Sequence, residues 1–68
     1  MNYAINYFEK GNELLAKKRY QEAILQYEKD LKNGRLNSRY KVIYNMGIAY
    51  SYLGKHKKAV KCYEEVLK

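Results

Sequence analysis

The apolar residues of this 68-residue chain recur at the spacing of helices rather than strands. From about Tyr3 to Lys17, the residues Ile5, Phe8, Leu14 and Leu15 fall near helical intervals. From Tyr20 to Lys32, Ala23, Ile24, Tyr27 and Leu31 form a single stripe. Only "KKRY" separates the two stretches, which leaves room for a tight turn and nothing more. The one clear loop is "NGRLNS", Asn33 to Ser38. There Asn33-Gly34 suits a helix C-terminal cap, and Asn37 or Ser38 can cap the helix that follows. A third helix is predicted from Arg39 to Leu53, stopped by Gly54, and a fourth from His56 to the end. Connections this short force antiparallel neighbours, so the pattern predicts an all-α chain of two helical hairpins.

The two hairpins also superimpose as sequences. The segment Tyr20–Leu31 lies over His56–Leu67, with Ala59 36 residues after Ala23 and Tyr63 36 after Tyr27. Gly47 follows Gly11 by the same 36 residues. One offset kept in both helices of each hairpin is an internal repeat.

Those positions resemble the tetratricopeptide repeat, whose helix–turn–helix pattern W-x2-L-G-x2-Y, A-x3-F, P has a period of about 34 residues. The second hairpin matches with Ile43-x2-Met46-Gly47-x2-Tyr50, then Ala59-x3-Tyr63. The first matches more loosely, with Tyr7-x2-Lys10-Gly11-x2-Leu14, then Ala23-x3-Tyr27. The resemblance implies two hairpins stacked as a short right-handed α-solenoid. It is a single domain over residues 1–68, with repeat one at about 4–37 and repeat two at about 38–68. It also implies packing roles: Gly11 and Gly47 where the helices of a hairpin come closest, Ala23 and Ala59 as their small counterparts, Tyr27 and Tyr63 filling the space between hairpins. The closing proline is absent, Lys10 stands at an apolar position, and no capping helix follows Lys68.

In such repeats the first helices line a concave groove for peptides. The matching positions here are Ile5, Phe8, Asn12, Leu15, Lys41, Tyr44, Asn45, Ile48, Ser51 and Tyr52. Asn12 and Asn45 also match the asparagines with which some members clamp a terminal carboxylate. Phe8 replaces the lysine that clamp needs, so the clamp is incomplete; Asn45 has a structural use as well, in helix–helix hydrogen bonding.

Charge adds a second surface. Residues 1–32 carry six Lys/Arg against five acids, residues 33–68 eight against two. The basic run Lys55, Lys57 and Lys58, with Lys61 one turn on, is paralleled by Lys17, Lys18 and Arg19 in the equivalent turn of the first repeat. Stacking would align them into one basic edge able to meet RNA or another polyanion.

Catalysis finds no support in the residues. Cys62 and His56 are single, which excludes an internal disulfide and any cysteine cluster for a metal. Glu64-Glu65 and Glu28/Asp30 read as helix-surface charges, Cys62 as part-buried packing, and His56 as packed in its turn. No cofactor is expected, and no membrane span or signal is legible, so a cytoplasmic location is the default. The expected function is a non-catalytic interaction module that binds a peptide or helix in its groove. It is expected to self-associate through an uncapped face that includes Val42, Ile43 and Val60. A piece or engineered unit of a longer array, and a basic module for RNA, are the alternatives.

Overall fold

A computed structural model describes residues 5–34 and 38–68. Helix α1 spans Tyr7–Ala16 and α2 Tyr20–Lys29, followed by a π-helical turn, Asp30–Gly34. Helix α3 spans Arg39–Tyr52 and α4 His56–Leu67. The first helix thus starts later than expected, because the Asn6 side chain accepts the Glu9 N–H at 3.1 Å and caps it there. Ser38 caps α3 by accepting from the Tyr40 N–H. The alternative cap Asn37 and the expected start at Tyr3 lie outside the described residues. Helix α2 does not stop at Lys32; the chain stays coiled, in a wider turn, through Gly34.

Both hairpin turns are built the same way. In the first, Arg19 N–H reaches the Leu14 carbonyl and Lys18 N–H that of Leu15. In the second, Lys55 reaches Tyr50 and Gly54 reaches Ser51. Paired bonds of this kind close a helix when the residue after its cap turns left-handed. Gly54 does so at φ 79°, without penalty for want of a Cβ. Lys18 does so at φ 65° with a full side chain. Lys18→Gly is therefore expected to stabilise the fold by about 1 kcal/mol, read as a higher urea midpoint.

The helices pack in chain order: α2 lies between α1 and α3, and α4 lies against α3. The core between the hairpins is Ala23, Ile24 and Tyr27 of α2 against Val42, Met46 and Ala49 of α3, flanked by Phe8, Leu14 and Leu15. Ala59, 3% exposed, fills the inside of the second hairpin. Val42 and Ile43 are thus buried within the chain, and of the three residues expected on the uncapped face only Val60 is open, 50% exposed.

The glycines correct a second expectation. A Cβ on Gly11 would stand 2.4 Å from the Tyr27 ring, and one on Gly47 2.8 Å from the Tyr63 ring. The tyrosines therefore lie over the glycines of their own hairpins, and Tyr27 also reaches the core between the hairpins. Each ring also meets an aromatic on the first helix: Tyr27 meets Phe8 with centroids 6.0 Å apart, Tyr63 meets Tyr44 at 5.7 Å. Phe8 and Tyr44 are themselves 36 residues apart. The repeat in sequence is a repeat of contacts.

Candidate interaction surface

The concave side is partly consumed by a polar latch. Tyr27 Oη donates to Asn12 Oδ1 at 2.6 Å, and Asn45 Nδ2 donates to the same oxygen at 2.9 Å. One carbonyl on α1 thus holds the buried phenol of α2 and the first half of α3. Half-buried polar groups need such partners, because leaving one unmet costs about 1–3 kcal/mol. The two groove asparagines hold the hairpins together, which is the helix–helix use read for Asn45 from the sequence.

The remaining groove positions separate into two regions. Phe8, Leu15 and Ile48 are half-buried, while Ile5, Lys41, Tyr44, Ser51 and Tyr52 are exposed. Toward the turns, Tyr52 stacks on Tyr20, with centroids 4.8 Å apart and rings 4° from parallel. A cavity of about 390 Å³ there is lined by Leu15, Lys18, Ile48 and both rings. Toward the chain end, a more apolar cavity of about 320 Å³ is lined by Tyr44, Tyr63, Val66 and Leu67. Leu67 is 85% exposed. Neither Val66 nor Leu67 was among the groove positions, although Tyr63, Val66 and Leu67 form an apolar i, i+3, i+4 stripe.

The residues of the expected basic edge have different surroundings. Arg19 is taken by Glu22, and Lys58 lies 5.6 Å over the Tyr50 ring. Lys57 and Lys61 line the outer side of α4 with His56 and Val60, while Lys18 faces the concave cavity. His56 is exposed rather than packed in its turn. Lys17 and Lys55 stand exposed at the turns themselves. At the opposite end, Arg39 Nη2 pairs with Glu65 Oε2 at 3.2 Å and ties the start of α3 to the end of α4.

The acids also need one correction. Glu28, Glu64 and Glu65 are exposed as expected, but Asp30 is 0% exposed and neither carboxylate oxygen has a hydrogen-bond partner among the described residues. Cys62 is half-buried, as read from the sequence. No group of His, Cys, Asp and Glu among the described residues is placed to hold a metal, and none of their helices is long and apolar enough to cross a membrane.

Burial raises the phenols of Tyr27, Tyr50 and Tyr63 above their ordinary 10.0 and the Cys62 thiol above 9.0. For Tyr27 the Asn45 side chain opposes the rise. The fold favours the protonated forms, so the unfolded chain loses these protons first. Their contribution is whole below 9.0 for the thiol and 10.0 for the phenols, and is lost as pH climbs through the raised values. Urea midpoints are expected to hold near neutrality and fall steadily above about pH 9.

Residues 40–68 match the family model of the tetratricopeptide repeat. No curated protein and no solved structure matches the chain. Repeats of this family generally mediate protein–protein interaction. The matched residues take in nearly all of α3 and the whole of α4, and the first hairpin reproduces that hairpin's glycine–tyrosine contact, aromatic pair and turn bonding. Residues 40–68 form a tetratricopeptide repeat.

Proposed function

We propose that this protein is a non-catalytic interaction module, one unit over its whole length, that receives an amphipathic helix on the outer end of its second hairpin. The observation that carries this reading is the apolar cavity of Tyr44, Tyr63, Val66 and Leu67. Moved back 36 residues, these positions are Phe8, Tyr27, Asp30 and Leu31. On the first hairpin that face is covered by α3, through Val42, Met46 and Ala49. The second hairpin therefore presents the same docking face, made more apolar by Val66 in place of Asp30. Its occupant needs small and medium apolar residues at i, i+4 and i+7, as α3 has.

A second copy of the chain is one such occupant, and one observation restricts how it would bind. The residues that match Val42, Met46 and Ala49 of α3 in the first hairpin are Asn6, the cap of α1, and Lys10 and Glu13 within it. Lys10 and Glu13 are exposed and charged, so head-to-tail stacking of copies would bury charge against Leu67. Self-association instead takes the form of a closed pair, end face on end face.

Light scattering across a concentration series, at low and high salt, tests this together with a titration of a peptide spanning residues 38–54 with Asn45→Leu. Expected results are a dimer that persists in high salt and stops at two, or a monomer whose Tyr44, Tyr63 and Leu67 resonances shift with the peptide. Leu67→Ser is expected to abolish either without loss of helix content. A monomer that ignores the peptide would overturn the reading.

A further inference from the structure

The tip of the molecule, where α1 turns into α2 and α3 into α4, gathers cations around an aromatic stack. Tyr52 ends α3 and lies flat on Tyr20, the first residue of α2. Tyr52 is 67% exposed, so one aromatic face is left open. Lys18 lines the cavity beside the stack. Lys17 and Lys55 are exposed at the flanking turns, Lys17 beside a separate cavity that Glu13 also lines. Lys57 is exposed in the first turn of α4, and none of the four makes a salt bridge among the described residues. The segments 16–22 and 52–61 contain one carboxylate, Glu22, and Arg19 already engages it. Cations here oppose the dipoles of α2 and α4 but suit the ends of α1 and α3. The two effects partly cancel, so the fold alone gains little from the charge.

The backbone supplies an independent observation. Lys18 occupies the left-handed position that the second hairpin gives to Gly54. Glycine would close the first turn with less strain. The chain instead keeps a lysine there, and its side chain lies at the cavity beside Tyr20 and Tyr52. Strain retained where a side chain reaches a surface site points to use of that side chain.

We propose that this tip binds single-stranded nucleic acid, with a base stacked on the open face of Tyr52 and the adjoining phosphates held by Lys18, Lys17 and Lys55. A flat ring and negative charge are needed together. An acidic peptide would satisfy the lysines and leave the aromatic face unused, whereas every nucleobase has a face to stack. Stacking of this kind tolerates any sequence, so the site would grip a strand without reading it. The inference is independent of helix docking, which uses Val66 and Leu67 near the far end of α4.

Fluorescence anisotropy of the full chain with a labelled oligouridylate of about 12 nucleotides tests it. Saturable binding is expected at about 50 mM salt, weakening about twenty-fold by about 200 mM if three phosphates are held. Tyr52→Ala is expected to weaken binding about tenfold while leaving the salt dependence unchanged. Lys18→Gly is expected to weaken binding and flatten the salt dependence while raising the thermal midpoint, so loss of the fold cannot explain its effect. No anisotropy change at the lower salt would overturn the proposal, as would wild-type affinity in Tyr52→Ala. Competition by oligoglutamate as strong as by unlabelled RNA would overturn it too, and would assign the tip to an acidic protein.

Discussion

Gly11→Ala is expected to lower the stability of the fold by about 1–3 kcal/mol, the usual cost of forcing an extra carbon into a filled core. Two effects compete. Alanine is the better helix former by about 0.5–1 kcal/mol, which would favour the variant at an open site. Here the new Cβ would stand 2.4, 2.7 and 2.9 Å from three atoms of the Tyr27 ring. A flexible side-chain end could swing away, but this ring is 0% exposed, packed against Phe8, and held at its hydroxyl by Asn12. Relief would have to break the latch to Asn45 or lift α1 from α2. Packing outweighs propensity, and a core this small supplies only about 3–5 kcal/mol in total. The urea midpoint, followed by the helical circular dichroism signal, should fall sharply. Gly47→Ala should follow with a smaller loss, since its closest contact is 2.8 Å. An unchanged or higher midpoint for Gly11→Ala would mean that the ring is free to move, and that the glycine serves something other than tyrosine packing.

Asp30→Ala is expected to act in the other direction. The carboxylate is fully buried at the start of the π-helical turn, and its oxygens meet no donor among the described residues. A buried polar group left unmet costs about 1–3 kcal/mol, and a charged one more. Alanine removes that cost and leaves a small void, which returns part of the gain. The net effect is a stabilisation of about 1–2 kcal/mol, or roughly 4–16 °C in thermal midpoint for a chain of this size. Val66 at the matching position of the second hairpin shows that the repeat accepts an apolar residue there. A lower midpoint for Asp30→Ala would show that the carboxylate is held by a donor.

The features that could be read from the sequence share a cause: each is a local pairing of a small residue with a large one, or a chemical signal at a helix end. The 36-residue offset carried Gly11 and Gly47, Tyr27 and Tyr63 into the right register. Ser38 marked the start of α3 and Gly54 its end. What was misread depends on crossings between helices. Val42 and Ile43 looked available for a partner because α3 carries apolar residues all round, with no single stripe to name its buried side. Its position between α2 and α4 is the reason, since it must be apolar toward both. Asp30 looked exposed because aspartate is seldom buried; yet it lies three residues after Tyr27, on the stripe that faces the core. Asn12 and Asn45 matched positions of the family's groove, with helix–helix bonding as a second use for Asn45. Only the approach of α1 to α3 shows that they bond each other.

That single amide–amide bond also sets a rule for neighbours. The position matching Asn12 on the second hairpin is Ile48, which has no hydrogen-bond acceptor to offer. A helix seated against the end face, as α3 is seated against the first hairpin, would bring its counterpart of Asn45 against that isoleucine. An asparagine there would be stranded, whereas leucine, valine or methionine would fit. The second hairpin is thus mismatched to a second α3 seated in that way. Partners can be sorted by one letter of their sequence before any is tested for binding.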